Sequence, residues 1–270
     1  MGRNEKCFCG SGKKRKKCHS DVIENSYIEN LYEKYFEIEN TVSKYRTTHK
    51  EFENHRCGKG CFNCCYDLFT VSMLEFELLL EEIRNNGEEF AEHIFHKALY
   101  HLDILEKDHP ELYNRLEEND TMKDMTQTMM SDVNIYDRNH RLPLPCPLLD
   151  DNTGACTAYD KRPMICRTHG TTHTAFHLMS SDAEICEHIP SSHLNAESTP
   201  EVDGWDMNPN LMLQTIFNGQ TILPRQYPIV YWFKIYRDKN LKKGRPIYSS
   251  LVPSFFNKKV GTLTLSELMP

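Results

Sequence analysis

Apolar residues recur at three- and four-residue steps through residues 22–56. Ile28, Leu31, Tyr32, Tyr35, Ile38, Val42 and Tyr45 mark one face, and polar residues fill the other. The spacing predicts an amphipathic helix or helical pair. A second helix is expected to begin near Thr70 or Ser72, because Glu75 follows Ser72 by three positions as in a capping box. Met73, Phe76, Leu79, Leu80 and Ile83 supply its apolar face, and Asn85-Asn86-Gly87 ends it. A third helix carries Phe90, Ile94, Ala98, Leu102 and Leu105. Pro110 suits the first turn of a further short helix through Leu112 and Leu116.

Residues 119–140 are polar and methionine-bearing and predict little. The pattern changes at 142–170, where prolines crowd Cys146 and Asp150-Asp151-Asn152-Thr153-Gly154 reads as a turn. A short irregular hairpin or knuckle is expected there. Residues 180–205 read as loop and 206–218 as a helix. Residues 226–237 are aromatic and β-branched and suit a strand or a buried helix. The last thirty residues hold short strand-like runs. The expected fold is mainly α, with irregular metal-pinned loops, a few short strands and a small N-terminal zinc module.

The 270 residues suit one large domain or two modest ones. The formal net charge of -7 argues against a general nucleic-acid binder, and no interleaving of basic and aromatic residues suggests one. Charge is unevenly spread. Residues 1–20 hold seven Lys or Arg and one acidic residue, Glu5, which leaves 25 basic and 38 acidic residues in the remainder. No stretch of about 20 apolar residues offers a membrane span. No apolar run follows the N-terminal charges as in a secretory leader. A cytoplasmic location is therefore the default expectation.

The chain has eleven cysteines. Without a leader, metal or iron–sulfur ligation explains them better than disulfides do. Cys7, Cys9, Cys18 and His19 offer three sulfurs and an imidazole, a set that tetrahedral zinc accepts. Gly10 and Gly12 permit a tight return. Lys13, Lys14, Arg15, Lys16 and Lys17 are expected to project outward and favour thiolates. The run Gly2-Arg3-Asn4 through Cys7-Phe8-Cys9-Gly10-Ser11-Gly12-Lys13-Lys14 to Lys17-Cys18-His19 resembles the SEC-C motif, a small zinc-binding element found at the C-terminus of the bacterial preprotein translocase ATPase and on other proteins. The resemblance implies Zn2+ on Cys7, Cys9, Cys18 and His19. It also implies docking to a partner protein or a ribosomal surface, and no reaction.

Cys57, Cys61, Cys64 and Cys65 fall within nine residues, and Cys146, Cys156 and Cys166 follow at ten-residue intervals. Adjacent Cys64 and Cys65 are expected to point in different directions, so both serve one site only if the backbone bends sharply, and otherwise one serves a second ion or stays free. Zinc and Fe–S clusters both accept four thiolates. Seven sulfurs exceed one such shell and fall one short of two. A histidine, an acidic residue, Cys186 or a bridging thiolate would make up the difference. The pattern Cys57-x3-Cys61-x2-Cys64-Cys65, then Cys146-Pro-Leu-Leu-Asp, then Gly154-Ala-Cys156-x-x-Tyr159-x-x-Arg162-Pro163-x-x-Cys166-Arg167, resembles the YkgJ-like cysteine-cluster family, a zinc- or iron-chelating domain. The resemblance is strongest over 55–180. It implies metal on these cysteines. Flagellin lysine methylases look similar in their cysteines and are associated with a [4Fe-4S] cluster, which places iron–sulfur slightly ahead of zinc.

Domain organisation is accordingly expected as 1–20 zinc motif, 21–56 helical linker or docking helix, and 57–270 cysteine-cluster domain. Arg162 and Arg167 flank Cys166 and are candidate cofactor-binding residues, donating to metal-bound thiolates or holding Asp150 or Asp160. His169, His173 and His177 follow at four-residue steps, and His169, nearest Cys166, is the candidate ligand among them. Met129 and Met130 suit gap filling. Three readings remain open from sequence: a metal-binding accessory protein, an iron–sulfur-dependent protein-modifying enzyme such as a lysine N-methylase, and a structural zinc adaptor.

Overall fold

The computed structural model describes residues 4–121, 144–171, 186–193, 215–217, 220–222, 226–241 and 258–261. The long amphipathic run forms helix α1, Tyr27–Thr48. Its N-cap Ser26 accepts a hydrogen bond from the Glu29 N–H at 3.3 Å, which satisfies one of the orphan donors of the first turn. The apolar stripe Ile28, Leu31, Tyr35, Ile38 and Val42 is buried. A short 3₁₀ turn, Lys50–Phe52, closes this segment.

Strand β1, Thr70–Val71, leads into helix α2, Met73–Asn85. The expected capping box is present. The Ser72 hydroxyl accepts from the Glu75 N–H at 3.2 Å, and the Glu75 carboxylate accepts from the Ser72 N–H at 3.0 Å. Gly87, at φ 100°, turns the chain into helix α3, Glu88–Asp108. Helix α4, Pro110–Thr121, starts on its proline. The other helices are α5, Met164–Thr168, and α6, Ile229–Leu241.

Strand content is small. β2, Thr215–Phe217, pairs antiparallel with β3, Gln220–Ile222. β4, Tyr227–Pro228, pairs antiparallel with β1, in register Thr70↔Pro228 and Val71↔Tyr227. The aromatic segment 226–237 is therefore a brief strand that becomes a buried helix. Its Trp232 donates to the Val71 carbonyl at 3.0 Å and stacks on Phe76 at 5.8 Å between centroids. Phe233 meets Phe76 edge-on at 5.0 Å. One core thus joins α2, α3 and α6, with α1 packed on α2 and α5.

The mainly helical expectation holds. Two details differ. Residues 215–217 are strand rather than helix, since a β-branched Thr-Ile pair beside a phenylalanine suits a ladder. Arg15 does not project outward with its lysine neighbours; it is 6% exposed. It donates to the Val22 carbonyl at 2.8 Å and forms an ion pair with Glu29 at 2.8 Å, and the opposite charges offset each other in a buried niche. Of the strand-like C-terminal runs, only 258–261 are described, and there Lys259 bridges to Ser26. Residues 122–140 with Met129 and Met130, the positions His173 and His177, and all of 194–214 lie outside the described residues. No helix among the described residues is long and apolar enough to cross a membrane.

Candidate metal centres

At the N-terminal end, Lys6 bridges Lys14, and the Cys7 N–H donates to the Lys13 carbonyl at 2.8 Å. A single 3₁₀ turn, Arg15–Lys17, then brings Cys18 and His19 back beside Cys7 and Cys9. The Cys9 and Cys18 sulfurs lie 3.6 Å apart. Cys7 Sγ and His19 Nδ1 lie 3.2 Å apart. All four donor atoms fall within 4.8 Å of one another. Four donors around one zinc, with Zn–S of about 2.3 Å, span tetrahedral edges of about 3.8 Å, so the set fits a single ion.

The electrostatics suit it too. Burial, with the nearby Lys161 charge, pushes the His19 pKa down, which keeps the ring neutral and able to ligate. Burial pushes the Cys7 thiol up to about 11. Burial also opposes ionisation of Cys9, yet hydrogen bonds from Ser11, Cys18 and Cys7 together outweigh it and its pKa falls. His19 is held between the rings of Phe8, at 5.1 Å, and Tyr32 of α1, at 4.6 Å. Lys13, Lys14, Lys16 and Lys17 are exposed around this site.

The remaining cysteines gather some distance along α1. Cys64 and Cys65 sit in a 3₁₀ turn, Asn63–Tyr66. The Cys146 N–H donates to the Cys65 carbonyl at 2.6 Å. The knuckle forms as expected: Leu149 bridges Cys156, and Asp150 accepts from the backbone of Asn152 and Thr153 at 2.8 and 2.9 Å. Lys97 of α3 clamps it through the Leu149 carbonyl at 2.7 Å and Asp151 at 2.8 Å. Cys166 lies on α5, whose first N–H, from Met164, is held by the Glu75 carboxylate at 2.8 Å.

Cys61, Cys64, Cys65, Cys146, Cys156 and Cys166 all line one cavity of about 840 Å³, counting the open solvent at its mouth. Leu, Pro, Ile and Val side chains form most of the wall, and Asp67 and Arg162 are its charged members among the described residues. The cavity cysteines are partly buried. Burial pushes the pKa values of Cys146, Cys156 and Cys166 up, and Arg162 partly offsets this for Cys156 and Cys166. Cys64 is raised first by its hydrogen bond with Cys65, then by burial. Bunched thiols of this kind resist ionisation until a cation joins them. Among the described residues, the head is the one group of three or more donors close enough to hold a single ion.

Cys57 does not line the cavity. It lies against Gly170, where an added Cβ would stand 2.3 Å from its sulfur. Cys186, absent from the expected ligand set, is pushed up to about 11 by burial and then by the charges of Cys57, Cys64 and Cys61. Only a spare-sulfur count hinted at it in the sequence.

Arg162 borders the cavity and pairs with Glu39 of α1 at 2.9 Å. Arg167 turns away from it. Its guanidinium stacks over Tyr35 at 4.1 Å and bonds Glu39, and it donates to the carbonyls of Arg162 and Asp160, each at 2.8 Å. Both arginines therefore meet Glu39, a residue that helical periodicity alone marks as surface. His169 lies outside the cavity lining, with its Nε2 3.5 Å from Asp67 and its ring edge-on to Phe69.

Residues 56–187 match the CxxCxxCC family model, described as a "putative zinc- or iron-chelating domain". The matched segment takes in Cys57 through Cys186, and so all eight cysteines outside the head. No curated protein and no solved structure matches the chain. The match and the head's donor set together support metal binding.

Proposed function

We propose that this is a metal protein with two kinds of centre: Zn2+ on Cys7, Cys9, Cys18 and His19, and an iron–sulfur cluster in the cysteine cavity. The observation that carries this reading is the contrast between the two donor sets. The head's four donors lie within 4.8 Å of one another and are the one group among the described residues close enough to hold a single ion, whereas six thiols share one solvent-open cavity. A lone tetrahedral ion needs the tight spacing, whereas a cluster with bridging sulfides holds its thiolates further apart. The cluster would supply electron transfer or a Lewis-acidic iron. Arg162 offsets the thiolate charge of Cys156 and Cys166, and the apolar wall limits water at the sulfurs.

The head, which resembles the SEC-C motif, then serves as a docking element. Its exposed Lys13, Lys14, Lys16 and Lys17 suit an acidic patch on a protein partner in the cytoplasm. A second reading is an iron–sulfur-dependent protein-modifying enzyme, such as a lysine N-methylase. One feature favours it: the cavity opens to solvent and carries Asp67 in its wall, as a substrate cleft requires.

Purification without oxygen tests the proposal. Brown protein with absorbance near ~400 nm, iron and sulfide in equal amounts and about one zinc per chain is expected. Cys7→Ser should lose the zinc and keep the iron. Colourless protein holding zinc alone would exclude the iron–sulfur centre.

A further inference from the structure

The head is set into the fold. Its Cys7 and Phe8 are buried in the same core as α1, α2 and α3. Phe8 lies 5.8 Å from the Tyr32 ring of α1, and the Arg15 guanidinium stands 5.3 Å from the Phe8 centroid. His19 packs on Tyr32 at 4.6 Å. Two rings of the head, one of them a candidate zinc donor, therefore cover Tyr32, which is itself buried.

Tyr32 also meets the cysteine region. Lys161 donates to its hydroxyl and lies over its ring at 4.5 Å. Lys161 ends the 3₁₀ turn Tyr159–Lys161, midway between Cys156 and Cys166. The next residue, Arg162, lines the cavity and pairs with Glu39 of α1 at 2.9 Å. Loop 156–166 is thus anchored on α1 at Glu39 and at Tyr32, and the head shares the second anchor. The knuckle turn is held from a different direction, by Lys97 of α3.

A segment of about twenty residues needs a staple such as a metal to keep its shape, and binding of a structural ion is coupled to folding. The head is therefore an element with two states, closed on an ion or open without one. Opening withdraws Phe8 and His19 from Tyr32, and with them the packing that fixes the Lys161 anchor.

We propose that zinc in the head governs the cysteine cavity: occupancy of Cys7, Cys9, Cys18 and His19 fixes Tyr32, and Tyr32 fixes the Cys156–Cys166 wall through Lys161. This rests on the reading that the head takes zinc. Coupling between sites is reciprocal, so metal on Cys156 and Cys166 tightens zinc in the head by the same factor. A chain without head zinc keeps its helices but holds Cys156, Cys166 and Arg162 loosely, so the head sets how readily the cavity is loaded.

The test is residue-resolved hydrogen exchange on the full chain, wild type against Cys9→Ser, with zinc counted alongside. This variant removes a donor and leaves both rings that pack on Tyr32. It should lose about one zinc per chain. The amides of Lys161, Arg162 and Arg167, which donate to carbonyls within 158–163, should then exchange about tenfold faster, a typical coupling between two sites. The amides of Asp150 and Gly154 in the knuckle, and those of α3, should not change. In a Tyr32→Leu background the same Cys9→Ser change should move the loop amides by less than about twofold. Unchanged loop exchange in a Cys9→Ser chain that has lost its zinc would overturn the coupling. Equal acceleration in α3 would overturn it as well, because zinc would then hold the whole fold, and so would an undiminished effect in Tyr32→Leu. Zinc content unaltered by Cys9→Ser would instead overturn the zinc reading of the head.

Discussion

Lys161 lies over the ring of Tyr32, its Nζ 4.5 Å from the centroid. The same ring meets the imidazole of His19 at 4.6 Å. One side chain of α1 therefore touches a donor of the head and the loop between Cys156 and Cys166. Tyr32→Ala should remove both supports and cost about 3 kcal/mol, as large-to-small changes at buried aromatic sites do. It should also weaken zinc retention by the head, read by competition with a chromogenic chelator. Tyr32→Phe keeps the ring and should stay within about 1 kcal/mol of wild type.

Glu75 closes the α2 capping box and also accepts from the Met164 N–H and, at 3.1 Å, from the Tyr35 hydroxyl. It is 5% exposed. Glu75→Gln puts an amide donor where several donors already converge. A loss of about 2–4 kcal/mol is expected in urea denaturation, together with slower metal loading at Cys166.

Gly10 and Gly12 both adopt positive φ, 74° and 72°, but their surroundings differ. A Cβ at Gly10 would enter the Phe36 ring at 1.9 Å, whereas nothing lies within 4 Å at Gly12. Gly12→Ala should cost only backbone strain, about 1 kcal/mol. Gly10→Ala should add the clash and displace the head from α1, exceeding Gly12→Ala by about 2 kcal/mol. Thermal melts of the zinc-loaded protein would compare the two.

His101 of α3 is 6% exposed, and burial, with the Lys97 charge, lowers its pKa from 6.5 to about 4. Its Nδ1 has no hydrogen-bond partner among the described residues. The folded ring stays neutral while the unfolded chain takes up a proton below pH 6.5. Its contribution is thus complete above pH 6.5 and is lost progressively towards pH 4. The shift sets a ceiling of ~3 kcal/mol, and partial solvation of the ring reduces the expected loss to about 2 kcal/mol. His101→Leu should flatten the pH dependence of unfolding across that window.

Much of the helical frame was legible in the sequence. Ser72 and Glu75 announced a helix start because capping is local chemistry, and Gly87 and Pro110 marked boundaries for the same reason. The four donors of the head were legible because they lie close in sequence around one turn. The rest depends on tertiary contact. Whether 226–237 is strand or helix turns on β1 pairing with Tyr227–Pro228 only. Arg15 stood among exposed lysines in the sequence, and only Glu29 and Val22 explain its burial. Glu39 carried no signal, since its partners Arg162 and Arg167 lie over a hundred residues away. Cys186 escaped the ligand set because twenty residues separate it from Cys166, and its neighbours come from segment 55–65.

Helix α1 reaches the cysteine loops along much of its length. Tyr35 supports Arg167, Glu39 engages Arg162 and Arg167, Arg46 bonds Thr171 and the Cys57 carbonyl, and the Tyr45 hydroxyl meets His193 at 2.6 Å. The family match nevertheless begins at residue 56. A fragment cut at that edge would keep every cysteine of the main site and lose the scaffold that aligns them. The edge of the family match and the boundary of what must be expressed together therefore fall in different places.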